Sequence, residues 1–282
     1  AARRGEAAVT AYDPAAAAGF FDEYGELEWQ RFERSSSPVS LAIHTHYLRA
    51  FVRPGERVLD AGAGPGRFTI ELARAGARVS VLDLSPEQLR LNAENVAAAG
   101  AEEAVEERVL GDVLDLSRWD DAAFDAVVCF GGPVSYALER AEDAVDELLR
   151  VTRPGGRVLL GVMSRVGPFA HSLRTIVELA REYGIGASDD VVRTGMLPPH
   201  LSRGHLSMRL FRWSELEELL ARRSCRILAA SASELSPGAE LELWPTLEPE
   251  LREALVRWEL ALAAEPGALN AGAHLIAVVE KT

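Results

Sequence analysis

The sequence predicts a three-layer α/β fold, a doubly wound and mostly parallel sheet of seven strands, with a helical N-terminal segment and a late insert. Three observations predict it. Strand-like and helix-like segments alternate from about residue 40 onward. The strands are short, near-continuous apolar runs, as expected where helices cover both faces of a sheet. A glycine-rich turn, Gly62-Ala63-Gly64-Pro65-Gly66, joins the first strand to the helix that follows it.

Arg57–Ala61 is β-branched and apolar and reads as a buried strand, and Arg67–Ala75 beyond the glycines reads as a helix. Arg78–Leu82 is the second strand, and Pro86–Ala98 the second helix, with Ser85 as N-cap and Pro86 in its first turn. Leu89, Ala93, Val96 and Ala97 share one face of that helix. Glu107–Leu110 and Phe124–Phe130 are the third and fourth strands, followed by a helix over Ala141–Thr152. Arg153-Pro154-Gly155-Gly156 then makes a turn into a fifth strand, Arg157–Met163.

The remainder is less regular. Pro168–Tyr183 reads as one helix and is followed by a Gly/Pro-rich stretch, so residues 165–205 are expected to form an inserted lid. Leu206–Phe211 is strand-like, Ser214–Ala221 helical, Arg226–Ala232 strand-like, Leu247–Ala264 helical and His274–Glu280 strand-like. Two closing strands joined by a long connection complete the seven. The expected organisation is a helical cap or flap over residues 1–39 and one domain over 40–282.

With 282 residues, 48% hydrophobic and 26% charged, the chain can bury a sizeable core. Its formal net charge of −13 disfavours a protein that tracks a phosphate backbone and favours a small-molecule substrate. Cys129 and Cys225 have no metal-ligand spacing and suggest no disulfide framework, which fits a reducing, cytoplasmic setting. No apolar run approaches a bilayer span, and Ala1-Ala2-Arg3-Arg4-Gly5-Glu6 has no apolar export core. A monomer or homodimer is expected. His44 and His46 stand two apart on a helix and face different ways, which disfavours a shared metal. Arg222, Arg223 and Arg226 read as a solvated helix end.

Chemistry enters at the glycine turn. Glycine has no Cβ and accepts positive φ, so backbone there can approach a ligand closely. The helix N-terminus beyond it offers unpaired N–H groups to anionic atoms. A dinucleotide fingerprint would need glycine at position 67, and that position is Arg67. Asp83 ends the second strand, where a carboxylate can accept from both hydroxyls of a ribose. Asp112 ends the third and could accept from an adenine amine, with the N–H of Val113 beside it. Cys129-Phe130-Gly131-Gly132-Pro133 ends the fourth. In open α/β sheets these carboxyl ends form the ligand crevice.

Taken together, these residues resemble the class I S-adenosylmethionine-dependent methyltransferases. Val58–Phe68 is similar to the first motif of that family, Asp83, Gly111-Asp112 and Phe124–Gly132 to the next three, and Leu148–Gly156 to the turn before the fifth strand. The similarity covers residues 40–163 most closely. Glu28–Phe32 and Gly272–Ile276 resemble a bacterial subgroup of the family. The resemblance implies the Rossmann-like methyltransferase fold and S-adenosyl-L-methionine as cofactor. It implies that Ala61, Gly62, Gly64 and Gly66 form the loop at the methionine end, that Asp60 orients the loop or the cofactor's amino group, and that Asp83 holds the ribose with Leu84 and Gln88 nearby. Asp112 and Val113 would hold the adenine, with Phe130 and Gly131 at the fourth strand end.

Methyl transfer from a sulfonium requires alignment and exclusion of water more than it requires a base, so no catalytic residue need stand out. Candidates are Tyr12, Tyr136 and His205. Tyr12, Tyr24, Trp29 and Phe32 concentrate aromatics near the N-terminus, as a flap closing over a sulfonium would, or as anchors of a helix. The Asn/Asp-Pro-Pro-aromatic segment of exocyclic-amine nucleic-acid enzymes is absent, since Phe130-Gly131-Gly132-Pro133-Val134 has no amide or carboxylate. Cys129 precedes the glycines and reads as a structural thiol rather than the cysteine nucleophile of cytosine-C5 enzymes. The expected activity is methylation of N, O or C on a small metabolite. An RNA-nucleoside methyltransferase and a non-catalytic S-adenosylmethionine-binding module are the alternatives.

Overall fold

The computed structural model describes residues 11–31, 37–235 and 244–282; Phe32 lies outside them. Helices α1 (Pro14–Tyr24), α2 (Glu26–Arg31) and α3 (Ser37–Phe51) precede β1 (Arg57–Ala61), α4 (Arg67–Arg74), β2 (Arg78–Asp83) and α5 (Pro86–Ala98). There follow β3 (Val105–Leu110), β4 (Phe124–Cys129), α6 (Pro133–Tyr136), α7 (Ala141–Val151) and β5 (Thr152–Met163). Between β5 and the next long helix lie α8 (Gly167–His171), α9 (Leu173–Tyr183), α10 (Ile185–Thr194) and a ribbon of β6 (Met196–Leu197) and β7 (Met208–Arg209). The chain closes with α11 (Trp213–Ala221), β8 (Cys225–Ser233), α12 (Pro249–Ala263) and β9 (His274–Lys281).

Seven strands form one sheet in the order β3-β2-β1-β4-β5-β9-β8. The first five are mutually parallel, and β9 runs antiparallel to both β5 and β8. Alternate side chains feed two cores. Val127 and Cys129 of β4 pack on one face with Val145 and Leu148 of α7 and Leu216 and Leu220 of α11. Ala126 and Val128 pack on the other with Ile43 and Leu48 of α3 and Phe68 and Leu72 of α4. This two-sided burial explains why the strand sequences lack polar alternation. No described helix is long and apolar enough to cross a membrane.

Several expectations are corrected in detail. Residues 168–183 are not one helix, because the chain breaks at Ser172 (φ −134°, ψ 25°) between α8 and α9. The stretch after Tyr183 is not all loop: α10 occupies Ile185–Thr194, started and ended by glycines at positive φ, Gly184 (94°) and Gly195 (78°). Those glycines gave the segment a loop-like composition, but they stand at the helix ends. Leu206–Phe211 does not form a strand of the large sheet: Met208–Arg209 pairs with Met196–Leu197, and Phe211 makes a single parallel bridge to Ser164 just beyond β5. Residue 39, the expected boundary of the N-terminal cap, falls inside α3. Arg153–Gly156 form a turn within β5, looped out so that Phe124 faces Thr152 while Ala126 faces Arg157. Arg223 is no solvated helix end. Its side chain is 11% exposed and bonds Asp146 of α7 at 2.6 Å, tying α11 to α7.

Candidate active site

The carboxyl ends of β1, β2, β3 and β4 open on one cavity. Its walls are the turn after β1 (Gly62, Ala63, Gly64, Pro65), the start of α4 (Arg67, Phe68), the end of β2 with α5 (Asp83, Leu84, Gln88), Gly111-Asp112-Val113, and Phe130, Gly131, Pro133 and Tyr136. The N-terminal segment lies across it through Tyr12, Ala17, Phe21 and Glu28.

Asp83 organises the loop. It is 5% exposed, and one carboxylate oxygen accepts from the Gly64 N–H at 2.8 Å while the other accepts from Ser85 N–H at 2.9 Å. The N–H groups of Gly62 and Ala63 donate to the Leu82 carbonyl at 2.8 and 3.0 Å. The outer side of the turn is held by α5: Asn92 Nδ2 donates to the Gly64 carbonyl and Asn95 Nδ2 to that of Pro65. These contacts leave the concave side of the loop facing the cavity.

Nine of the residues expected to contact cofactor line this cavity: Gly62, Gly64, Asp83, Leu84, Gln88, Asp112, Val113, Phe130 and Gly131. Asp60, Ala61 and Gly66 do not. Asp60 is buried behind the loop and accepts from the Thr69 hydroxyl at 2.6 Å, so its contact is to α4. Ala61 is a core residue. Gly66 caps α4 at φ 95°, and a Cβ there would stand 3.1 Å from Val96 and 3.2 Å from Asn92, so its missing side chain serves the packing of α4 on α5.

Among the candidate catalytic residues, Tyr12 and Tyr136 line the cavity. The Tyr12 hydroxyl donates to Asp112 Oδ2 at 2.7 Å, and the other oxygen of Asp112 accepts from Leu114 N–H. His205 is not on the cavity wall. It stacks on Tyr136 (centroids 5.6 Å apart, 23° between planes) and packs on Phe20, joining the insert to α1. Trp29 anchors rather than covers, since the Arg67 guanidinium lies 3.4 Å from its ring centroid and donates to its carbonyl. Cys129 is fully buried, with its thiol pushed up to about 12 by burial, as befits a structural residue. Among the described residues no group of three His, Cys, Asp or Glu side chains could hold a metal.

Sequence reasoning missed the cavity-lining Ala17, Phe21, Glu28, Arg67 and Phe68. Arg67 and Phe68 sit directly after the third glycine and reach the cavity from the first turn of α4. Residues from α1 and α2 carry no motif. They reach the cavity because Asp22 accepts from the Ser85 hydroxyl and the Glu87 N–H, and because Gln88 Nε2 donates to the Phe21 and Gly25 carbonyls.

Glu28, Asp83 and Asp112 put carboxylates on the cavity wall, and Asp60 is buried behind the loop. Burial raises Asp60 to about 7 against the hydrogen bond from Thr69, and it raises Asp83 to about 6 against backbone bonds from Ser85 and Gly64. Both folded values lie above the ordinary 3.8. The stability these two groups contribute to the unliganded protein is therefore fully present below about pH 4 and is lost as pH rises through about 6 and then 7. Asp60→Asn should remove its share. The melting temperature of wild type minus that of the variant should climb as pH falls from about 8 to about 5; scanning calorimetry giving a constant difference would contradict this.

Whether a nucleoside sulfonium fits can be judged from the wall itself. Gln88 Oε1 is buried with no hydrogen-bond partner, and its amide nitrogen is fixed by two carbonyls. A Cβ on Gly64 would project into open space beside it, 3.9 Å away. A donor-bearing, cationic ligand meets both conditions and the buried carboxylates.

With this geometry in place, comparison with known proteins gives the class. Residues 58–156 match a family model described as a methyltransferase domain. Over these residues the chain is similar to a methyltransferase domain. A demethylmenaquinone methyltransferase of Mycobacterium bovis (strain BCG / Pasteur 1173P2) is 35% identical over 153 residues, which is 52% of this chain and 58% of the relative. The chain thus matches little more than half the length of that relative. Among solved structures, 1,6-didemethyltoxoflavin-N1-methyltransferase of Burkholderia thailandensis superposes with a TM-score of 0.58 at 20% identity, covering 99% of this chain and 93% of that one. Geranyl diphosphate C-methyltransferase of Streptomyces coelicolor A3(2) gives 0.54 at 15% identity, over 84% and 78%. At these identities the superpositions establish the shared fold.

Proposed function

We propose that the protein transfers a methyl group from S-adenosyl-L-methionine to N, O or C of a small molecule, with residues 1–39 as a cap and residues 165–205 as a lid over the reacting groups. The observation that carries this reading is the convergence of Gly64, Asp83, Gln88 and Asp112 from three separate strand ends on one cavity. Asp83 would accept from the ribose hydroxyls while it holds the loop. Asp112 and the Val113 N–H face the adenine. The carboxylates of Asp83 and Glu28 favour the ammonium and sulfonium charges, and Arg67 offers a cation to the carboxylate of the same ligand.

The cofactor supplies a methyl carbon already activated by its sulfonium leaving group. The chain's own part is to orient it and keep water out. Phe21, Phe68 and Phe130 supply apolar wall, and Tyr12 and Tyr136 supply aromatic faces for the sulfonium. Relatives and structural neighbours named for a quinone, a toxoflavin precursor and geranyl diphosphate support a small-molecule acceptor. The net charge of −13 speaks against RNA. A cytoplasmic location is supported by two free cysteines.

Titration calorimetry of the full chain with S-adenosylmethionine and S-adenosylhomocysteine tests the reading. One-to-one binding with a dissociation constant of about 1–100 μM is expected. Release of S-adenosylhomocysteine with a panel of small metabolites then distinguishes an enzyme from a binding module. Absence of binding by folded protein would refute the assignment.

A further inference from the structure

A second cavity lies beside the first on the same edge of the sheet, and it has a different character. It sits over the end of β5 (Met163, Ser164) and the start of β9 (Ala273, His274), and it is roofed by α8, α9, α10 and the β6–β7 ribbon. Met163 and His274 are register partners, so the floor is the next stretch of the carboxyl edge beyond the β4 end that borders the first cavity. The enclosed and open space together amount to about 1100 Å³. Ile176, Leu179, Val191, Leu197 and Met208 make its walls apolar.

The Met163 side chain, which lines the second cavity, also packs against the turn that borders the first. A Cβ on Gly132 would stand 2.8 Å from Met163 Cε and 3.4 Å from Tyr136 Cε2. The Met163 thioether therefore fills the space between the Gly131–Pro133 turn of one cavity and the apolar walls of the other. Methionine is the apolar side chain that re-packs most readily. The mouth is apolar as well: Phe169 and Val192 line the cavity and are nevertheless 48% and 40% exposed.

Charge narrows the occupant. Arg165 on the wall is bonded to Glu215 at 2.7 Å, and Arg203 to Glu178 at 3.0 Å. Each cation is paired with a carboxylate of the chain, which weakens its pull on a phosphate or carboxylate ligand. The apolar walls are interrupted by the hydroxyls of Ser164, Ser172, Thr175, Ser188 and Ser202 and by the imidazole of His274, whose Nδ1 lies 4.0 Å from Glu234 Oε1 in a mostly buried pair. Such a histidine suits one hydroxyl or amine on an otherwise apolar molecule.

We propose that this cavity is the acceptor pocket and that it takes an uncharged, mainly apolar molecule carrying one hydroxyl or amine near His274; the proposal rests on the methyltransferase reading above. The test uses the full chain and the neutral fluorophore prodan. Prodan should bind with a blue-shifted emission, and the anionic anilinonaphthalene sulfonate at least tenfold more weakly. Ile176→Trp, which fills the cavity from α9, should raise the prodan dissociation constant at least tenfold. S-adenosylhomocysteine affinity by calorimetry should change less than threefold. Val192→Phe provides the same block from α10 if the first variant fails to fold. An S-adenosylhomocysteine derivative carrying a naphthylmethyl group on sulfur should displace prodan, whereas S-adenosylhomocysteine itself should not. Unchanged prodan binding in both filled variants overturns the proposal. So does a derivative that binds as tightly as S-adenosylhomocysteine and leaves prodan in place. Failure of S-adenosylhomocysteine to bind would instead remove the methyltransferase reading, and the acceptor assignment with it.

Discussion

Asp83→Ala is expected to weaken S-adenosylmethionine binding by at least a hundredfold while leaving the protein folded. Two effects combine. The carboxylate faces the cavity, where it can accept charge-assisted hydrogen bonds, each worth about 1.5–3 kcal/mol. It also holds the Gly64 N–H at 2.8 Å and the Ser85 N–H at 2.9 Å, so its removal frees both the glycine loop and the start of α5. The fold should survive because burial already disfavours the ionised form, raising this carboxylate to about 6. Asp83→Asn keeps the shape and one acceptor, and should lose less affinity than alanine. Calorimetric titration with circular dichroism as a folding control checks both, and an alanine variant binding within threefold of wild type would remove Asp83 from the site.

A second large effect divides two neighbouring glycines. At Gly62 (φ 73°) a Cβ would stand 2.3 Å from Pro133 Cγ, a ring held by the turn after β4. Gly62→Val should therefore damage the fold itself. Left-handed strain and overpacking together cost about 4 kcal/mol, a fall of about 8–15 °C in melting temperature. At Gly64 (φ 53°) a Cβ would meet nothing closer than 3.9 Å. Gly64→Val should lose only a few degrees, since the strain alone is about 1–2 kcal/mol, yet abolish cofactor binding because its branches occupy the cavity. Scanning calorimetry paired with ligand titration separates the two. Retained affinity in the Gly64 variant would contradict the placement of the loop.

Much of this site was legible in the sequence because it depends on strand ends. A strand of near-continuous apolar residues terminates where a glycine or a carboxylate interrupts it, so Gly62, Asp83 and Asp112 announce both the end of an element and the edge of the crevice. Asp60 and Gly66 belong to the same motif but act through packing, and spacing alone does not distinguish a residue that faces a ligand from one that supports the loop. The N-terminal residues were legible only as an aromatic concentration, and Ala17, Phe21 and Glu28 reach the cavity through tertiary bonds with no local signature. The insert was the least legible part. Gly184 and Gly195 suggested a loop, but they bound α10, and its separation from α9 depends on a backbone break at Tyr183–Gly184 rather than on any change in apolar periodicity.

The bonds that bring α1 across the cavity have a temporal side. Asp22 is tied to the start of α5, Gln88 to the carbonyls of Phe21 in α1 and of Gly25 just beyond it, and Tyr12 to Asp112 and Glu139. Opening of α1 over a nucleoside bound as proposed would require several of these contacts to part together. Residence time would then depend on the opening of α1 as well as on the ligand's own contacts. For a methyltransferase with this cover, departure of the spent thioether becomes a step whose rate can limit turnover. Loosening Asp22 should then shorten the stay of S-adenosylhomocysteine more than it changes the rate of methyl transfer within a single turnover.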